Sequence, residues 1–348
     1  VSDEHQGNQR DASEDDDGFT LALYGAAGAL GEQVRIALEG EGLPIEAFYA
    51  AGALRSAGGE VSFRNTSVAV RTAAEVDAME PDVAILAVPD DVSEGRRERL
   101  MRKGTLVIDV SPSGRRNSAL PLIWPALNYD VLKSHEGGFA VPGAVTTTVA
   151  PVAAALASVG RLDALDVVAM LGASHAGVTG PADLSAQTLA LMNFRVPESG
   201  TLGGELAFNV MVGSRHAEDA SDLYEDELRA ELYRLSPRFD GVECHLTALR
   251  IPVFAGTTVT LTARFADDVE LDPDRVRGAF TARGDLEQGG PDVTLRDALD
   301  SDTILLGPAR IDPARKVVRV TAFADATHRV ATSIAALLDR MHGDDDLW

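Results

Sequence analysis

The stretch LALYGAAGALGEQVRIALEG, residues 21–40, decides how the first half of this chain folds. Leu21 to Tyr24 is a short apolar run that ends in glycines, and Gln33 to Glu39 has helical spacing. The turn between them, Gly25-Ala26-Ala27-Gly28-Ala29-Leu30-Gly31, joins a strand to a helix. Glycine suits such a turn because the backbone must bend sharply and approach a pyrophosphate, which then rests on the helix N-terminus. The candidate dinucleotide contacts are Gly25, Gly28, Ala29, Leu30 and Gly31. Their spacing is GxxGxxG and not the GxGxxG of NAD-binding turns. No acid ends the second strand to hold a ribose 2′-hydroxyl; Arg55 and Ser56 follow it instead and suit a 2′-phosphate, so the expected cofactor is NADP. A tight turn that binds nothing fits the same residues.

Outward from the turn, strand and helix alternate. Ile45 to Ala50, Val68 to Val70, Val83 to Val88 and Leu106 to Val110 are strand-like, and Ser93 to Arg102 reads as an amphipathic helix with a serine cap. Buried-looking strands alternating with helices predict an α/β doubly wound parallel sheet of Rossmann type. The second half differs. Glu243 to Phe254, Thr258 to Phe265, Thr303 to Leu306 and Val317 to Ala324 alternate with period two, and helices are expected at Thr147 to Ser158, Ala182 to Leu191 and Glu225 to Leu235. That pattern predicts an α+β unit with an antiparallel or mixed sheet. A last helix, Thr327 to His342, closes the chain.

The 348 residues exceed the usual size of one core, and 45% of them are hydrophobic. Acids outnumber bases 54 to 31, a net charge of −23, which disfavours nucleic-acid and anionic-membrane partners. Lysine occurs only at Lys103, Lys133 and Lys316. High-salt adaptation and ordinary compositional drift both account for this balance. No run approaches the length of a membrane helix and no secretory leader is visible, so a cytoplasmic protein is expected. Residues 1–18 are acidic and almost free of apolar side chains, and read as a disordered tail. The single cysteine, Cys244, excludes an intrachain disulfide, and the scattered histidines argue against zinc.

Several segments together resemble the aspartate-semialdehyde dehydrogenase family. GAAGALGEQV from Gly25 is similar to that family's GATGAVGxxM, and Arg55 to Gly58 to its RSAG segment. VIDVSPSGRR from Val107 resembles VIDNSSAFRM, and PLIWPALN from Pro121 resembles PLVVPEVN. LAFNV at Leu206 is similar to IAFNV, and RIPVFAG at Arg250 to RVPVFxG. The resemblance implies a Rossmann domain over 19–145 and 325–343, with an inserted dimerisation domain over 146–324. It also implies a homodimer whose interface comes from Gly160 to Ala324.

The departures from the family are informative. Its cysteine nucleophile stands at a helix N-terminus, where the dipole lowers the thiol pKa. Here Val141-Pro142-Gly143-Ala144-Val145-Thr146 puts Ala144 at that position. Thr257 replaces the family's histidine base, His175 its orienting glutamine, Ala126 a glutamate and Ala326 an asparagine. Arg115 remains at the position of a substrate-phosphate arginine. Glu231 and Arg234 overlap the family's substrate-binding helix, although a solvated helix face is the simpler reading. Thr146, Thr147 and Thr148 are expected to cap the helix start. His175 is either structural or an acid–base group, and Cys244 a packed thiol on a strand. The combination is similar to the cysteine-lacking Usg sister group. The expectation is a non-catalytic homodimeric paralogue that binds a dinucleotide or acts as a regulator or scaffold. The alternatives are an NADP-dependent oxidoreductase of altered chemistry, or a subunit paired with an active paralogue.

Overall fold

The computed structural model describes residues 18–54, 56–135, 137–213 and 220–344, so the acidic stretch 1–17 and Arg55 lie outside the described residues. The chain enters through β1 (Phe19–Tyr24), α1 (Ala29–Gly40), β2 (Ile45–Gly52), β3 (Glu60–Phe63), β4 (Thr66–Ala69), β5 (Arg71–Thr72) and α2 (Ala73–Asp77). It continues through β6 (Val83–Leu86), α3 (Asp90–Met101), β7 (Leu106–Asp109), α4 (Pro112–Arg116), α5 (Pro125–Asn128) and β8 (Gly138–Ala140). Six of these strands form a parallel sheet in the order β5-β2-β1-β6-β7-β8. Apart from Thr20, β1 and β6 are apolar along their length because both faces of this sheet are covered. The strand expected at Val68 to Val70 is not part of it. That segment is β4, half of a hairpin with β3, and its mostly exposed side chains have no second face to bury.

The second half contains α6 (Ala144–Val159), β9 (Leu162–Leu171), α7 (Gly180–Met192), β10 (Met211–Val212), α8 (Ala220–Leu235), β11 (Glu243–Arg250), β12 (Thr257–Phe265) and α9 (Pro273–Thr281). β13 (Leu286–Gln288), β14 (Ile304–Leu306), β15 (Arg310–Asp312), β16 (Val317–Ala324) and α10 (Ala326–His342) follow. The strands form a mixed sheet in the order β10-β11-β9-β12-β16-β14-β13, with β15 beside β16. β9 runs parallel to β11 and antiparallel to β12. No strand is expected here from the sequence, although Val167 to Leu171 is an unbroken apolar run. β11 ends at Arg250 and does not run to Phe254, because Pro252 has no N–H to donate to a ladder.

Two further differences have local causes. The third helix begins at Asp90, so Ser93 is inside it and not a cap; its hydroxyl donates to the buried Asp109 carboxylate at 2.7 Å. Arg97 pairs with the same oxygen at 2.6 Å, and the second carboxylate oxygen accepts from the Ser111 amide at 2.8 Å. This network ties α3 to the end of β7 and fixes the start of α4. The helix expected from Thr147 starts three residues earlier, with Gly143 as its uncapped flank. Thr147 and Thr148 bond back to the Ala144 carbonyl instead of capping. Pro151 interrupts α6 and cannot donate to the Thr147 carbonyl. The buried Arg329 of α10 takes that carbonyl at 2.8 Å, and its guanidinium lies 5.3 Å from the Trp124 ring centroid. Through this contact the last helix, which packs on α1 and α6, holds the N-terminal half of α6 in place.

Candidate functional site

Two helix starts stand near cavities. The first belongs to α1. Gly25 has φ +85°, and a Cβ there would stand 2.1 Å from the Ala87 carbonyl oxygen; one on Gly31 would stand 2.2 Å from the Gly25 carbonyl oxygen. Both positions therefore require glycine, which lets the turn lie flat against the sheet. Gly28 flanks α1, and no side chain caps the helix. A cavity of about 330 Å³ opens beside the turn, lined by Gly25, Gly52, Leu54, Thr72, Pro89 and Arg96. Arg96 is anchored there by Asp77 at 2.9 Å, and Asp77 also accepts from the Tyr24 hydroxyl at 2.8 Å. β2 ends in Ala51-Gly52 with no acid, and Ser56 follows in a turn bonded to Ala53. An uncapped helix N-terminus, a glycine turn and an adjoining cavity fit a dinucleotide pyrophosphate.

The second belongs to α6. A cavity of about 270 Å³ brings together Leu30, Arg115, Ala144, His175, Glu231 and Thr327. Ala144 is the first residue of the helix and offers a methyl group to the cavity. Glu231, from α8, reaches this helix start. One of its carboxylate oxygens accepts from the Gly143 amide at 2.9 Å, and the other lies 3.0 Å from Arg115 Nε. Burial raises the Glu231 pKa, opposed by Arg115, the Thr146 hydroxyl and the Gly143 amide. Arg115 is itself held by the Val110 carbonyl at 2.8 Å. Arg234 donates to the carbonyls of Arg115, Asn117 and Leu120, fastening α8 to the segment after α4.

The solvated-face reading of Glu231 and Arg234 is thus corrected. Glu231 is buried, and Arg234 lies against backbone carbonyls. The spacing held a signal for this: Leu228, Glu231, Leu232 and Leu235 fall at i, i+3, i+4 and i+7, so the glutamate belongs to the buried face.

His175 sits in a short 3₁₀ turn after β9, where its Nε2 shares a hydrogen bond of 2.9 Å with Thr257 Oγ1. Burial lowers its pKa to about 4, with Asp325 acting weakly in the other direction, so the imidazole is neutral near pH 7. Asp325 caps α10 by accepting from the His328 amide at 3.1 Å, and Ala326 begins that helix at the cavity wall. Ala126 lies in α5 and does not line the cavity. Cys244 is buried in β11, where burial pushes its thiol up to about 11. The site therefore combines a neutral imidazole with a helix start already occupied by a carboxylate of the same chain. It can exchange a proton, but it presents no nucleophilic side chain at Ala144. Among the described residues no group of histidines, cysteines and acids could hold a metal, and no helix is long and apolar enough to cross a membrane.

Comparison with known proteins places this geometry. Residues 20–135 match the family described as semialdehyde dehydrogenase, NAD binding domain, and residues 152–327 match semialdehyde dehydrogenase, dimerisation domain. A USG-1 protein homolog from Pseudomonas aeruginosa is 28% identical over 93% of this chain and 97% of its own length. An aspartate-semialdehyde dehydrogenase from Streptomyces akiyoshiensis is 27% identical over 72% of this chain and 78% of its own length. The crystal structure of aspartate semialdehyde dehydrogenase II from Vibrio cholerae superimposes with a TM-score of 0.85 at 21% identity, covering 94% of this chain and 99% of that one. The chain belongs to the semialdehyde dehydrogenase family.

Proposed function

We propose that this member of the family does not run the thiolate-dependent oxidation of aspartate semialdehyde, and serves as a cytoplasmic homodimer that binds NADP in a regulatory or scaffold role. The observation that carries the reading is Ala144 at the start of α6, with the single cysteine buried in β11. A covalent aldehyde adduct needs a thiolate where the helix dipole stabilises it and a base to take its proton. Ala144 supplies neither, and Thr257 stands where the resemblance implies the base. The glycine turn and the cavity beside it would hold the dinucleotide through Gly25, Gly28, Ala29, Leu30 and Gly31, with Arg55 and Ser56 toward its 2′-phosphate. A bound nicotinamide dinucleotide supplies a hydride donor or acceptor. The homodimer follows the family's dimerisation domain, over a division at 19–145 with 325–343 and at 146–324. Pairing with an active paralogue through the same sheet is the second form of assembly.

A second functional reading has its own observation. His175 faces the cavity beside Ala144 and is oriented by Thr257. It is placed to exchange a proton with an aldehyde or oxo group in an NADP-dependent reaction that forms no adduct. Arg115, held by Glu231, would set the polar end of the ligand.

The test is phosphate- and NADP-dependent NADPH formation from aspartate semialdehyde, using protein freed of the host's own enzyme. The unmodified chain is expected to show no turnover. Ala144→Cys should give a thiol that alkylates faster than buried Cys244, still without turnover, and Thr257→His would be needed in addition. Robust turnover by the unmodified chain overturns the proposal. NADP binding with hydride transfer to another carbonyl compound favours the second reading.

A further inference from the structure

The cavity at the start of α6 carries a charge balance that restricts what can enter it. Among the described residues that line it, Arg115 is the one cation, Glu227 and Glu231 are carboxylates, and His175 is neutral near pH 7. One positive charge against two negative ones leaves the lining at −1.

Each of these charges already has its counterpart. Glu231 lies 3.0 Å from Arg115 Nε, and its other carboxylate oxygen accepts from the Gly143 amide. Protonating Glu231 would leave the largely buried guanidinium without a counter-charge, and this holds the pair in its ionised form. Glu227 pairs with Arg116 at 2.9 Å, and Arg116 pairs with Asp90 as well. Arg234, one helical turn beyond Glu231, gives its donors to the carbonyls of Arg115, Asn117 and Leu120. The resemblance implies that Arg115 meets a substrate phosphate, yet this arginine is occupied by a carboxylate of its own chain. An entering carboxylate or phosphate would have to displace Glu231 or stand beside it. Like charges a few ångströms apart in a half-buried site repel strongly.

The uncharged part of the lining suits a different ligand. Leu30, Val145, Leu228 and Val330 supply apolar surface around a volume of about 270 Å³. The first N–H groups of an α-helix have no acceptor inside the helix, and Ala144, Val145 and Thr146 begin α6 and also line the cavity. A carbonyl oxygen can accept from such donors without bringing a full charge up to Glu231. We propose that the cavity takes a small uncharged carbonyl compound, an aldehyde, ketone or amide, and turns away carboxylates and phosphates because Glu231 occupies Arg115. The inference rests on the reading of this cavity as the ligand site and deepens it by naming the ligand class. Glu231 is then the residue that sets specificity, as an anion built into the place where an external one would bind.

The experiment places a reporter thiol in the cavity of the full chain with Ala144→Cys, and subtracts the rate of the unmodified chain to remove Cys244. Alkylation is followed with neutral iodoacetamide, anionic iodoacetate and cationic bromoethylamine, each rate divided by that of mercaptoethanol with the same reagent. Comparing reagents on one thiol cancels the fraction of it that is ionised. Iodoacetamide should lead both charged reagents by about tenfold or more, and millimolar inorganic phosphate should leave its rate unchanged. Glu231→Gln, added to Ala144→Cys, keeps an acceptor for the Gly143 amide and removes the charge. It should raise iodoacetate relative to iodoacetamide about tenfold and let phosphate protect the thiol. An iodoacetate preference or phosphate protection in Ala144→Cys itself overturns the proposal in favour of an anion site. A bromoethylamine preference overturns it in favour of a cationic ligand, and equal normalised rates show that the cavity selects nothing. A ratio that Glu231→Gln leaves unmoved, with circular dichroism unchanged, removes Glu231 as the cause; should that variant not fold, the three-reagent comparison decides alone. The rates are read without cofactor or turnover, so their failure leaves the assignment at Ala144 standing.

Discussion

The N-termini of α1 and α6 begin in the same way, with a glycine in extended conformation and no capping side chain of its own. They end up as opposites. α1 starts in an open turn beside a cavity, with its first amides directed at nothing in the described chain. α6 starts against Glu231, which takes the Gly143 amide and is held in turn by Arg115. A helix N-terminus attracts negative charge wherever it stands. What separates the two is whether the fold brings one of its own carboxylates to the spot. No carboxylate of the described chain meets the first; the second is met from within by Glu231, beside an alanine that carries no nucleophile.

The most severe way to break this contrast is to remove the internal carboxylate. Glu231→Leu leaves Arg115 with its charge uncompensated and the Gly143 amide without an acceptor. Losing one partner of a buried pair costs about 3–5 kcal/mol. A denaturation midpoint lowered to that extent is expected, and an unchanged midpoint would mean that Glu231 contributes nothing at the helix start. The reverse exchange gives α1 an internal anion: Gly28→Asp should leave stability within about 1 kcal/mol, since aspartate is a good N-cap. NADP binding by calorimetry should fall sharply, because the new carboxylate competes with the pyrophosphate; retained affinity would place the cofactor elsewhere.

Acidification sharpens the contrast through His175. Its folded pKa of about 4 lies below the ordinary value of 6.5. In that interval the unfolded chain binds the proton and the folded chain does not. Stability contributed by the neutral imidazole is therefore complete above pH 6.5 and is lost as pH falls toward 4. The loss amounts to about 1–3 kcal/mol, at 1.36 kcal/mol per pKa unit and with allowance for its contact with the cavity. Glu231, with its raised pKa, acts in the opposite sense, so the measurement is the difference between the unmodified chain and His175→Gln across this window. Parallel curves would show His175 to be freely protonated. The smallest effect concerns selectivity at α1: Arg55→Ala should remove an NADP over NAD preference of about tenfold, or about 1.4 kcal/mol. Equal affinities in the unmodified chain would make Arg55 a surface charge only.

The difference between these helix starts also marks where sequence reading stops. The α1 turn was legible because its pattern is local: apolar run, glycines and helical spacing lie within twenty consecutive residues. The reason for glycine is local only at Gly31, which meets the Gly25 carbonyl; at Gly25 it comes from the carbonyl of Ala87, just past the end of the neighbouring strand β6. Ala144 was legible only through the family resemblance, since the helix it heads was expected to begin at Thr147. Glu231 was not, although its i, i+3, i+4 spacing with leucines placed it on a buried face. Its partners Gly143 and Arg115 are 88 and 116 positions away in the chain, and nothing in a local pattern names them. The central place of β9 escaped for a related reason: its apolar run Val167 to Leu171 can be read as a strand, but only its pairing with β11 and β12 makes it central.

Sequence alone determined the family resemblance, the parallel first sheet and an antiparallel or mixed second one. These depend on periodicity and on residue type at fixed offsets, which the chain carries whether folded or not. Tertiary structure decided that Glu231 closes the helix start, that Thr257 holds His175, and that Arg329 takes the carbonyl which Pro151 leaves free. Each joins groups far apart in sequence, and each follows from desolvation. Once packing removes water from an amide, a carbonyl or a charge, its partner must come from whatever the fold has brought within hydrogen-bond reach.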